Sequence, residues 1–92
     1  MAEQVNRSLW VAGFSLPPGQ VHHWVQDGQV YGKVRWFLAH PIQLTGVNRA
    51  VEIERVFTRA RENGDRRIEV IVRNIGQTVA HYGIFVAETT GP

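Results

Sequence analysis

The feature that most constrains this chain is a two-residue alternation that recurs along almost its whole length and is repeatedly cut by turn residues. In RRIEVIVRN (66–74), Ile68, Val70 and Val72 share one face; in VAHYGIFVAE (79–88), Tyr82, Ile84 and Val86 do. Successive side chains of a strand point to opposite sides, so such a row is the inward face of a half-buried strand. The same reading gives strands over SLWVAGFS (8–15), QVHHWV (20–25), VYGKVRWFLA (30–39) and VEIERVFTRAR (51–61). In 51–61, Val56 breaks the alternation set by Val51 and Ile53 and Phe57 restores it, which predicts a bulge or a strand passing between two sheets. No segment carries a helical period. The best competitor, 51–61, is too rich in β-branched and aromatic residues at its apolar positions.

Between these segments lie LPPG (16–19), QDGQ (26–29), ENGD (62–65) and IGQT (75–78), while HPIQLTGVNR (40–49) reads as a crossover or irregular edge. Asp-Gly and Asn-Gly are strong hairpin signals. About six or seven short strands with turns every 8–14 residues predict a single all-β domain over 1–92, a small antiparallel β-sandwich of immunoglobulin-like type, with a small barrel as the second choice. On this pattern Trp10 and Trp36 read as core, Trp36 sharing a face with Val34 and Leu38.

Composition narrows the function. With 92 residues and no cysteine, a disulfide scaffold, a thiolate metal site and a cysteine nucleophile are all excluded. MAEQVNRS lacks a basic stretch followed by an apolar one, and no apolar run is long enough to span a bilayer, so the expectation is a cytoplasmic chain without signal peptide or membrane span. The formal charge is +2, and nine of the ten basic residues are arginines spread along the sequence. The tightest cluster, Arg59, Arg61, Arg66 and Arg67, encloses Glu62 and Asp65 and reads as a solvated hairpin tip; nucleic acid is not an expected partner, and polyanion binding is a third reading.

No catalytic pattern stands out. The hydroxyl residues fall in no nucleophile-elbow motif, and Glu52 and Glu54 lie among arginines, as surface pairs do. His22 and His23 are adjacent and so point to opposite faces; with His40 and His81 single, no metal site and no cofactor are expected. The aromatics are more suggestive. If Val21, His23 and Val25 face inward, then Gln20, His22, Trp24 and Gln26 form an outward row, and Tyr31 lies just beyond the Asp-Gly turn. A surface tryptophan flanked by amides and imidazole suits a sugar, stacking on its CH face and bonding its hydroxyls. The opposite assignment buries Trp24 and turns His23 outward. The expectation is a non-catalytic, lectin-like binding module for a glycan, with Gln20, His22, Trp24, Gln26 and Tyr31 as ligand contacts. The alternative is a structural or protein-interaction domain, and in either case a homo-oligomer, because open sheet edges must be paired or blunted.

The stretch IEVIVRNIGQTVAHYGIFVAE (68–88) resembles the V-x-V-x-N-x-G-x-T-x-A-x-Y pattern of bacterial immunoglobulin-like accessory modules of the CARDB type, through Val70, Val72, Asn74, Gly76, Thr78, Ala80 and Tyr82. The resemblance implies that Asn74-x-Gly76 turns the chain between strands and that Tyr82 enters the core. It carries no catalytic residues.

Overall fold

A computed structural model describes residues 4–29, 34–42 and 49–90. They form six strands: β1 (Gln4–Leu16), β2 (Val21–Gln29), β3 (Val34–Pro41), β4 (Val51–Ala60), β5 (Arg66–Asn74) and β6 (Ala80–Thr90). Among the described residues there is no helix. The strands make two antiparallel three-stranded sheets, ordered β1-β6-β3 and β2-β5-β4. The two sheets share one core in a sandwich-like arrangement.

That core is supplied mainly by the central strands. Ile68, Val70 and Val72 of β5 meet Tyr82 and Ile84 of β6, joined by Leu16 and Ala39. Ile68, Val70 and Val72 of β5 and Tyr82 and Ile84 of β6 thus face inward as read from the sequence. Register shifts adjust the edge strands. The register of β1 on β6 shifts between Leu9 and Val11, so that both Trp10 and Val11 pack against the core. In β4 the shift falls between Ile53 and Arg55, within the segment whose broken alternation predicted it.

The turn signals divide. Asn63-Gly64 closes the β4–β5 hairpin, with Gly64 at φ 91° and its N–H donating to the Arg61 carbonyl at 3.1 Å. Asp27-Gly28 does not close a hairpin. Strand β2 runs through it to Gln29, with Gly28 at φ 79° and a register shift between Gln26 and Gln29. Strands β2 and β3 lie in different sheets, so Asp-Gly serves here as a bulge, its positive φ used to bend a strand rather than to reverse it.

The plate is thin and wide. Its Cα extents are 43 × 34 × 15 Å and its radius of gyration is 14.8 Å, against about 12 Å for a compact domain of this length. The chain exposes 6218 Å², where a folded monomer of this mass exposes about 5,400 Å².

Candidate interaction surface

The structure sets the β2 row in the second of the two orientations left open by the sequence. His22 and Trp24 point between the sheets. Trp24 Nε1 donates to the Tyr82 hydroxyl at 2.8 Å, and His22 Nδ1 lies 2.6 Å from the same oxygen. A fully buried tyrosine needs hydrogen-bond partners, and β2 supplies both of them. With Trp24 donating, the phenol proton can go to His22 Nδ1 when the imidazole carries its own proton on Nε2. Burial pushes the Tyr82 phenol above its ordinary value, and the Trp24 N–H partly offsets this.

The outward platform of Gln20, His22, Trp24 and Gln26 is therefore not assembled. Gln20 is exposed in the β1–β2 turn, where its backbone carbonyl accepts from Asn74. Gln26 Oε1 accepts from Trp10 Nε1 at 2.6 Å. Tyr31 lies outside the described residues. His22 and Trp24 do border a shallow concavity of about 380 Å³ with Phe14 at its rim.

The outer face of β2-β5-β4 is held by ions. Glu69 is only 5% exposed; its carboxylate accepts from Arg59 Nε at 2.7 Å and lies 2.8 Å from His23 Nε2. Arg55 and Arg59 both stack on Phe57. Arg67 bonds both Asp27 oxygens, Arg61 pairs with Asp65, and Arg73 bonds both Glu54 oxygens. The arginines of the hairpin tip are thus engaged with this chain's own carboxylates and backbone. The Arg59 hydrogen bond, with His23 adding to it, holds the Glu69 carboxyl below its ordinary value of 4.5 against the opposing effect of desolvation. A depressed carboxylate contributes stability that is complete above the unfolded value and is lost as pH falls through the folded one. Glu69→Gln should therefore flatten the acid side of the stability profile below about pH 5; urea midpoints across that range, compared with the parent, test it.

The outer face of β1-β6-β3 is different in kind. Leu9, Phe85 and Leu38 stand side by side across the three strands, with Trp36 beside Ala87 one pleat further on. Their exposures are 55%, 41%, 58% and 54% for Leu9, Phe85, Leu38 and Trp36. Together with His40, they line an open concavity of about 670 Å³. Gly83 lets these side chains close over the strand: a Cβ there would come within 3.1 Å of the Leu9 side chain and 3.2 Å of Phe85.

This corrects the reading of β3. Phe37 and Ala39 face the core, and Trp36 and Leu38 face out. The run Trp36-Phe37-Leu38-Ala39 is apolar on both sides, so alternation alone does not choose between its faces. Trp36→Ala should accordingly cost less than about 2 kcal/mol, since roughly half the ring is already in water. A thermal melt showing a loss of the size expected for a core tryptophan, about 3–5 kcal/mol, would contradict it.

His40 packs edgewise on Phe85, and His81 Nδ1 accepts from the Ser15 N–H at 2.9 Å. Among the described residues no three metal-ligating side chains converge, and no helix is long and apolar enough to cross a membrane. Comparison with family models, with curated proteins and with solved structures finds no match to this chain.

Proposed function

We propose that this chain is a non-catalytic interaction module on an immunoglobulin-like β-sandwich, and that its β1-β6-β3 face receives a protein partner. The observation that carries the reading is the contiguous exposure of Leu9, Trp36, Leu38 and Phe85. Single exposed apolar side chains are ordinary, but a continuous patch on a small protein marks an interaction site. The sheet orders favour the fold assignment. The runs β2-β5-β4 and β3-β6 correspond to B-E-D and C-F of an immunoglobulin domain. Strand β1 takes the edge beside β6 that the last strand takes there. The Asn74 turn and the inward Tyr82 agree with the likeness to bacterial accessory modules.

A photo-reactive side chain placed at Leu38 in the cells that make the protein should give protein adducts, and one at Val25, on the opposite outer face, should not. Equal yields at the two positions, or none at Leu38, would overturn the reading.

Glycan binding is a second reading, favoured by the concavity beside Phe14, an exposed ring next to His22 and His23. It ranks second because His22 Nδ1 and Trp24 Nε1 already bond Tyr82. A glycan array probed with the parent and with Phe14→Ala decides it: binding by the parent that the variant loses supports the reading, and no binding by the parent removes it.

A further inference from the structure

We infer that the occupant of the β1-β6-β3 face is a second copy of this chain, packed sheet on sheet about a two-fold axis. The inference rests on the interaction-module reading and names its partner.

Charge makes the first argument. The apolar face sets Leu9, Phe85, Leu38 and Trp36 together, with one basic position, Arg7, in register with Ala87 at its end. The other outer face carries the Glu69–Arg59, Arg73–Glu54 and Asp27–Arg67 pairs. Packing the apolar face of one copy on the ionic face of another would desolvate those pairs without supplying new partners. The surface on this molecule that matches the apolar face is the same face of another copy. Such a contact is isologous, so it closes at two subunits and does not propagate.

Area makes the second. The 6218 Å² exposed by the chain exceeds the expectation for a folded monomer by roughly 800 Å². One partner in a standard interface buries about that much. The thin 15 Å plate explains the excess: two three-stranded sheets cover only their inner faces, and a second copy would cover one of the outer ones.

Relief makes the third. Along β6 the outward residues are Gly83, Phe85 and Ala87, a bulky ring between two small residues, with Leu38 and Leu9 flanking the ring. A two-fold axis lets the Phe85 ridge of one copy settle beside the lower ground at Ala87 of the other, at the roughly 10 Å spacing of packed sheets.

Sedimentation of the full chain should show a species of twice the 10.4 kDa monomer mass at concentrations up to about 100 µM, corresponding to about 5 kcal/mol or more of association. Leu38→Arg should weaken the dimer by about tenfold or more, with circular dichroism unchanged. Trp36→Ser, a milder change, should weaken it in the same direction and guards against misfolding of the first variant. Val25→Arg, on the ionic face, should leave the dimer intact. A parent that stays monomeric, folded Leu38→Arg and Trp36→Ser variants that dimerise as the parent does, or a Val25→Arg variant that dissociates would each overturn the inference. A monomeric parent that still gives protein adducts at Leu38 would defeat self-pairing and leave the interaction module standing. A monomeric parent without adducts would defeat both.

Discussion

Tyr82→Ala is expected to remove most of the stability of this protein. The side chain is fully buried where the two sheets meet, and it fills space that a Cβ on Gly13 would have to share with its ring. Deleting a buried aromatic costs on the order of 3–5 kcal/mol, while a domain of this length is stable by only about 5–14 kcal/mol in total. The melting temperature should fall by roughly 15–30 °C, or the cooperative transition should vanish. Tyr82→Phe separates ring from hydroxyl. It keeps the packing but leaves the Trp24 N–H and His22 Nδ1 without their shared partner, at a cost of about 1–3 kcal/mol. The phenylalanine variant should also lose an alkaline dependence. With the folded phenol raised above its ordinary value of 10.0, the unfolded chain ionises first, so stability is full below that pH and is lost as pH rises through the folded value. Thermal melts at neutral and alkaline pH test both statements. A Tyr82→Phe protein as stable as the parent would mean that the hydroxyl contributes nothing to joining the sheets.

How much of this was legible in the sequence depended on whether one face of a strand was polar. In β5 the row Ile68, Val70, Val72 alternates with Arg67, Glu69 and Arg73, so the inner face is unambiguous, although Ile71 breaks the polar row. In β6, Tyr82 and Ile84 were assigned correctly to the inner row, while nothing in HYGIFVA marked Phe85 as part of an exposed patch. In β3 both rows are apolar, so the face that Trp36 shares with Val34 and Leu38 read as core although Phe37 and Ala39 are the residues that face inward. The β2 orientation turned on a long-range fact: Trp24 faces in because Tyr82, 58 residues away, needs its N–H. No local periodicity carries that information. Asp27-Gly28 misled for a related reason. The dipeptide reports a positive φ, which hairpins and bulges share, and only the pairing of β2 with β5 rather than β3 decides between them.

The same distinction explains why the sequence pointed to β2 and not to the exposed patch on β1-β6-β3. A polar-flanked tryptophan drew attention to β2, where its flanking groups in fact serve the core. The exposed patch is built from residues that look like core in one dimension, so it becomes visible only once the strand order shows that nothing in the described chain covers them. An apolar row that the fold leaves uncovered must meet water or a partner, and at four large side chains the second is the more favourable by the hydrophobic term alone.

Asn74→Ala is the other substitution expected to act strongly. Asn74 is fully buried at the end of β5, where the chain leaves one sheet for the other. Its Nδ2 donates to the carbonyls of Leu16 and Thr78 at 2.9 and 2.8 Å, and its Oδ1 accepts from the Gly76 N–H at 2.8 Å. One side chain thus fastens the end of β1 and the β5–β6 link, while its backbone bonds Gly19 and Gln20 of the β1–β2 turn. Alanine removes three hydrogen bonds and leaves two carbonyls and an N–H without those partners. At about 1 kcal/mol or more each, the loss should reach about 3 kcal/mol, or roughly 12 °C or more in melting temperature. Asn74→Asp tests the donor role specifically. The acid keeps an acceptor for Gly76, but as a carboxylate it faces the Leu16 and Thr78 carbonyls with no proton to give. Its folded pKa should therefore be raised, so this variant should regain stability on acidification from pH 7 to about pH 4, a direction opposite to that set by Glu69. A fall or no change for Asn74→Asp relative to the parent over that range would show that the two carbonyls do not depend on the amide.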